Sequence, residues 1–377
     1  MDLEFTDEQL DLRDSARSEL ARECPPGLVR GVADGAPGTD RFATALTWLG
    51  WPALTIPLDL GGLGRSFVEL AVVLEEMGRV AAPTAFLPTM TQFVPVVRAA
   101  GTTAQAHRFL SGVAAGDLTG TLALHEGGRW GPETVMATAE RDGDGWLLHG
   151  HKQHVLGAPE VSEVVVAARR ESGSLGLFVV PAAELTFKRT ATIDPTRSLA
   201  NVELNGVWVP DARALGEPEA DAGRALAQAL DYATVGLALD ALGACGALLD
   251  SSFEVARTSA AAGQAIEHAL ADMLVATETA RAAVYQATAA VSEGHPSAPH
   301  AASVAKAAIG GCQRLVTRQA LEIHGAAGGP DLRLWVGRAK ADDLLFGTTS
   351  DHRRIVADHV LSARRARSSQ LATALFG

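Results

Sequence analysis

The sequence predicts an α+β chain in three sections: an N-terminal helical domain (1–116), a middle antiparallel β domain (117–215) and a C-terminal four-helix bundle (216–377). Three observations predict it. Apolar residues recur at helical spacing up to about residue 115 and again after Pro218. Short β-rich runs bounded by Gly, Asn and Asp fill the stretch between. No helical segment separates those runs, which favours antiparallel pairing. With 377 residues, 47% of them apolar, the chain is long enough for two or three domains and a sizeable core.

In the first section Thr6 with Gln9 reads as a capping-box start, and Leu10, Leu12, Ala16 and Leu20 follow on one helical face. Residues Thr39–Gly50 and Ser66–Val80 read as further amphipathic helices joined by the turn Gly61-Gly62-Leu63-Gly64. In the middle section the strand candidates are Thr119–Leu124, Gly145–Leu148, Val161–Ala168, Leu175–Val180 and Val202–Val209, with turn signals at Asp142-Gly143-Asp144-Gly145 and Asn205-Gly206. In the last section Arg224–Ser251, Phe253–Val291, Ala301–His324 and Ser350–Leu371 are the bundle helices, and Gly294–Pro299 is one of their connections. Gly236, Gly243 and Gly246 cost helix propensity, which a close helix–helix approach offsets.

Composition narrows the function. A net charge of −12, from 32 basic and 44 acidic residues, argues against nucleic acid or an anionic membrane as partner. Cys24, Cys245 and Cys312 are odd in number and form no CxxC pair, so reduced thiols, a cytoplasmic setting and no structural zinc are expected. The acidic, amphipathic start is unlike a signal peptide. The apolar run Ala225–Leu242 is broken by Gln228, Asp231 and Asp240, as in a buried helix rather than a membrane span.

On their own the residues offer no nucleophile elbow, zincin helix, Walker loop or dinucleotide fingerprint. His149, His151 and His154 alternate on a strand, but Lys152 sits among them and no acid or Cys completes a metal sphere. The segment His324 to Pro330 reads either as a glycine cap followed by proline or as an anion-binding helix end. The pairs Glu75-Glu76 and Asp342-Asp343 are expected on solvated faces. Asp231 and Asp240, nine residues apart and so on opposite sides of one helix, are either hydrogen-bonded core groups or buried carboxylates with a raised pKa fit for a base.

Several phrases, in this order, resemble the acyl-CoA dehydrogenase family across almost the whole chain. They are Thr6-Asp7-Glu8-Gln9, Leu49-Gly50-Trp51 through Gly64, Leu74-Glu75-Glu76-Met77-Gly78, Gly145-Trp146 through Lys152, Asp194-Pro195-Thr196-Arg197, Val207-Trp208-Val209-Pro210 and Gln264 through Met273. The resemblance implies the family's three-part fold, a bound FAD, a CoA thioester substrate, and a carboxylate that takes the α-proton while hydride leaves for the flavin. The chain departs from the family at most of these parts. Both family slots for the base are filled by groups that accept no proton, Ala233 and Phe346, with Asp231 and Asp240 as backups. Gly131 and Pro132 stand where the family's first flavin segment has Ser and Asp, and Leu156 stands where a hydroxyl meets the flavin ring. Ser259 through Gly263 lacks the family's Gln-Phe pair, which reaches a neighbouring subunit's FAD. What remains as cofactor-binding candidates is Glu126, His154, Glu322, His324, Gly325 and Gly328.

These departures lead to the expectation of a base-lacking partner subunit in a heteromeric, FAD-dependent acyl-CoA dehydrogenase. Its substrate would be a CoA thioester with a steroid side chain or other bulky acyl group. Its FAD would lie at the interface with a related chain, in a cytoplasmic tetramer or dimer. The alternatives are a self-sufficient flavoenzyme using Asp231 or Asp240, and a flavin-free CoA-ester binding protein or non-redox enzyme.

Overall fold

The computed structural model describes residues 5–128, 130–217, 220–258, 263–325 and 329–376. Seven helices come first: α1 (Asp7–Glu23), α2 (Pro26–Ala33), α3 (Asp40–Trp48), α4 (Phe67–Arg79), a short α5 (Phe86–Pro88) that passes through a π-helical turn (Thr89–Phe93) into α6 (Val94–Ala100), and α7 (Thr103–Ala115). The starts of α1, α4 and α7 are each fixed by a reciprocal capping box, Thr6/Gln9, Ser66/Glu69 and Thr102/Gln105. The middle strands are β1 (Gly120–Ala123), β2 (Thr138–Asp142), β3 (Gly145–Leu156), β4 (Glu163–Arg170), β5 (Leu175–Pro181), β6 (Thr186–Arg189) and β7 (Leu199–Pro210). Long helices close the chain: α8 (Gly223–Thr258), α9 (Gln264–Ser292), α10 (Ala298–His324), α11 (Pro330–Asp342) and α12 (Thr349–Phe376).

The seven strands form one sheet in the order β1-β4-β2-β3-β7-β6, with β5 paired to β4. The expected all-antiparallel pairing needs correction, because β4 runs parallel to both β1 and β2. The connection from β3 returns the chain between those two strands, so their neighbour arrives in the same direction. The turn expected at Asn205-Gly206 is instead a bulge inside β7. Val207 pairs with Leu148 and Asn205 with His149, which leaves Gly206 extra at φ +72°. The helix boundaries in the last section also shift: α8 continues to Thr258, and α11 is a fifth helix absent from the four-helix expectation.

The glycines of α8 do serve a close approach. A Cβ on Gly243 would collide with the Glu75 carbonyl, one on Gly236 with Thr91, and one on Gly246 with Arg79. Gly78 on α4 meets the Asp240 carbonyl of α8 in the same way. By length and composition α8 is apolar enough to cross a membrane, but 89% of its most apolar window is buried within the protein. One apolar cluster joins the two helical sections and one face of the sheet, and a second fills the β section around Trp146, Phe178 and Val202. The three cysteines are free and buried, and burial pushes the Cys24 thiol up to about 12.

Candidate functional site

Beneath the sheet, the loop after β1, the irregular end of β3 and the α11–α12 junction meet around a cavity of about 360 Å³. The loop supplies His125 and Trp130, β3 supplies His154, and the junction supplies Leu345, Gly347, Thr348 and Asp351. The arrangement is anchored by Glu126. Its buried carboxylate accepts the N–H groups of Met136 at 3.0 Å and Ala137 at 3.1 Å, and it pairs with Lys152. Lys152 is fully buried, and desolvation brings its ammonium down to about 8 despite the opposing charge of Glu126. Glu126, a cofactor candidate by sequence, thus holds the loop and Lys152 and does not line the cavity.

The cavity wall is aromatic. The Nδ1 atoms of His125 and His154 lie 3.2 Å apart, one donating and the other accepting. Burial, reinforced by His154, holds His125 down at about 4, so it is neutral at ordinary pH. Trp130 packs at a tilt on His125 with ring centroids 4.4 Å apart and also meets Phe346 at 4.9 Å. His154 and Phe346 both adopt left-handed backbone, at φ +51° and +58°. Such conformations are costly for residues with a Cβ and persist where surroundings impose them. For His154 the surroundings are the register shift between Lys152 and Val155 and a bond from its N–H to Asn201 at 3.2 Å. For Phe346 they are the His352 ring N–H donated to its carbonyl at 3.0 Å.

No free carboxylate of the described lining residues faces this cavity. Asp351 accepts the Thr348 N–H at 3.0 Å and the Thr348 hydroxyl at 2.7 Å, and these bonds hold it below the usual carboxylate range. Of the slots assigned to a base, Ala233 is buried in α8 and Phe346 packs on Trp130. The two backups lie elsewhere. Both oxygens of Asp240 are engaged, one by Arg197 and one by Arg338, at the edge of a separate cavity of about 450 Å³. Asp231 lines a third cavity, beside His295, where burial alone pushes it up to about 7.

The described lining of this cavity does not by itself supply what the FAD implied by the resemblance would need. The Trp130 ring makes tilted contacts with both His125 and Phe346. Among the described lining residues there is no Lys or Arg to meet a pyrophosphate, and the charge that is present, on Asp351, has the wrong sign. Leu156, where a hydroxyl was expected, is a buried apolar residue. The other cofactor candidates do not line this cavity. Glu322 is exposed near Arg318, His324 lies 3.5 Å from the Ser251 hydroxyl, and Gly325 caps α10. Gly328 lies outside the described residues, as do Ser259–Ala262. His149, His151 and His154 do not converge: His151 pairs with Glu203 at 3.4 Å, His154 meets His125, and no group of three or more His, Cys, Asp or Glu that could hold a metal occurs among the described residues.

Sequence reasoning missed a buried ionic network between the cavities and the bundle. Arg338, fully buried, bonds Asp194 and Asp240 at 3.4 Å each, the Thr196 hydroxyl at 2.7 Å and the Ala81 carbonyl at 3.1 Å. Arg197 pairs with Asp240 and Asp342, while Lys306 donates to the Asp342 carbonyl and Gln313 to its carboxylate at 3.0 Å. The expectation that Asp342 and the Glu75-Glu76 pair are solvated is therefore wrong. Glu75 binds Arg281 and the Tyr285 hydroxyl, and Glu76 binds Arg17, all three acids being buried. Three acids (Asp194, Asp240, Asp342) facing three bases (Arg197, Arg338, Lys306) let these charges stay in the interior.

The comparisons agree with this architecture. The family models for the acyl-CoA dehydrogenase N-terminal and C-terminal domains match residues 6–117 and 222–361. The mitochondrial short-chain specific acyl-CoA dehydrogenase of Bos taurus is 30% identical over 340 residues, 84% of this chain and 82% of that protein. Among solved structures, the Tcur3481-Tcur3483 steroid ACAD, as its G363A variant, is 28% identical with a TM-score of 0.83, covering 95% of this chain and 99% of the matched one. The ChsE4-ChsE5 complex of Mycobacterium tuberculosis, 22% identical with a TM-score of 0.86 over 96% of this chain and 99% of the matched one, shares the fold. Helical section, sheet and bundle in this order, both domain matches and this identity lead to one conclusion: the chain belongs to the acyl-CoA dehydrogenase family.

Proposed function

We propose that this chain is the base-lacking partner subunit of a heteromeric, FAD-dependent acyl-CoA dehydrogenase that desaturates a CoA thioester carrying a steroid side chain or other bulky acyl group. FAD is the cofactor of the family; in this reading it binds at the interface with a related, base-carrying chain. The observation that carries the reading is Phe346. It occupies the base slot, packs on Trp130, and has no free carboxylate beside it among the described lining residues of the cavity. In this reading the contacts of Trp130 with His125 and Phe346 take up ring surface that a flavin within this chain would otherwise meet. Glu322, His324 and Gly325 lie at the end of α10, apart from that cavity, and in this reading they would serve a neighbouring subunit's cofactor. Likeness to a two-chain steroid enzyme supports the same reading. In a cytoplasmic heterotetramer or heterodimer, this chain would complete the assembly and shape its partner's acyl pocket.

The test is reconstitution. The chain is expressed alone and with a related acyl-CoA dehydrogenase chain, and each preparation is assayed for α,β-desaturation of CoA thioesters with an artificial electron acceptor. Turnover only in the pair, kept in D231N of this chain and abolished by replacing the partner's base with its amide, is expected. Turnover by the lone chain that D231N abolishes would overturn the proposal in favour of a self-sufficient enzyme.

A further inference from the structure

A cavity of about 320 Å³ lies where the N-terminal ends of α4 and α8 meet α6 and the end of α9; it shares Gln228 and Tyr232 with the cavity that Asp231 lines. Its polar wall is Arg65, Ser66, Arg98, Gln228, Tyr232 and Ser292, and no Asp or Glu stands among its described lining residues. In a chain of net charge −12, two guanidinium groups on one carboxylate-free wall are a local reversal of sign. Arg98 donates to the Thr55 carbonyl at 3.2 Å and has no ion-pair partner among the described residues. Arg65 has only Glu8, 3.6 Å away at the surface, with both side chains largely in solvent. Such a contact is worth little and gives way readily to a better anion.

The remaining wall sets the rest of the ligand. Tyr232 packs edge-on against Phe67 at 4.8 Å, and its hydroxyl donates its proton to the Val291 carbonyl at 3.2 Å, so the ring shapes the wall and the donors to an anion are the guanidinium groups. Burial raises the Tyr232 hydroxyl, the charge of Arg98 opposes that rise and the charge of the neighbouring Asp231 adds to it, so the guanidinium acts on this wall against one nearby carboxylate. Gln228 stands one helical turn before Tyr232 on α8 and adds an amide. Met90 and Val94 make an apolar side. The start of α4 contributes no free donor from Ser66, since its hydroxyl donates to Glu69 at 2.6 Å and its N–H to Glu69 at 2.9 Å, while Val68 N donates to Ser66 Oγ at 3.1 Å.

We propose that this cavity binds a small organic oxyanion, a carboxylate or phosphate head on a short apolar body, with Arg98 and Arg65 on the head and Met90 and Val94 against the body. The planar guanidinium fork matches either head in two-point fashion. The site stands independently of the subunit proposal, because all its walls come from this chain.

The experiment is isothermal titration of the chain with butyrate, butyl phosphate and inorganic phosphate, repeated with R98Q and R65Q after circular dichroism has shown both to be folded. Saturable binding of butyrate or butyl phosphate is expected. R98Q should weaken it by about tenfold or more, as loss of a charged hydrogen bond does, and R65Q by less. Which of the two probes binds more tightly identifies the head. Absence of saturable binding of both up to about 10 mM, or equal affinity in wild type and R98Q, would overturn the proposal.

Discussion

Asp231 gives a prediction whose sign and size both follow from its surroundings. Its carboxylate lies in α8 beside His295 and accepts no hydrogen bond or ion pair among the described residues; burial alone raises it from the ordinary 3.8 to about 7. An acid raised in the folded state binds more protons there than in the unfolded chain between those two values. Stability is therefore fully present below about pH 4 and falls as pH rises towards 7. At about 1.4 kcal/mol per tenfold in the proton equilibrium, the penalty is about 1.5 kcal/mol near pH 5 and about 4 kcal/mol near pH 8. Relaxation of solvent around a half-buried group brings both figures to about half. D231N keeps the shape of the neutral acid and removes the titration. Urea unfolding of wild type and D231N should then show the variant more stable, by a margin that grows by about 1–3 kcal/mol between pH 5 and pH 8. Background titrations cancel in that difference. A margin that stays constant with pH, or a variant less stable at both, would refute the reasoning and mean that Asp231 has a partner worth keeping.

Other consequences are as definite. His125, lowered to about 4, should show no imidazole titration by NMR between about pH 5 and pH 8, whereas an exposed histidine would titrate near 6.5. R338M leaves Asp194 and Asp240 short of a buried counter-charge and should cost about 3–5 kcal/mol in denaturant unfolding; a loss below about 1 kcal/mol would show that the network carries little of the fold. G243A forces a methyl into the Glu75 carbonyl across the α4–α8 contact and should cost about 1–3 kcal/mol in denaturant unfolding; no loss would show that the two helices do not pack this closely.

What was legible in the sequence was local. Thr6 with Gln9 marks the first helix because a capping box is a four-residue device. The glycines of α8 announce a close helix contact because nothing else offsets their propensity cost. Phe346 and Ala233 can be read in the family's base slots because each slot is defined by adjacent residues. Long-range pairing was not legible. Glu75 meets Arg281 across 206 positions and Asp342 meets Arg197 across 145, so each acid reads as solvated until the chain is folded. Helix α11 was hidden for the same reason: its fully buried Arg338 breaks the apolar period that marks an inward face. The strands β2 and β6 are five and four residues long, too short for alternation to stand out. In the site, the packing of Trp130 on both His125 and Phe346 joins positions more than two hundred residues apart, and a wide aromatic spacing gives no warning of it.

The most direct test of the subunit proposal is a visible absorption spectrum of the chain purified alone and of the same chain copurified with a related acyl-CoA dehydrogenase chain. The account predicts a colourless lone protein and a complex that shows oxidised-flavin bands bleached by the CoA thioester it turns over. Flavin bands in the lone protein, bleached by a CoA thioester without any partner, would contradict it.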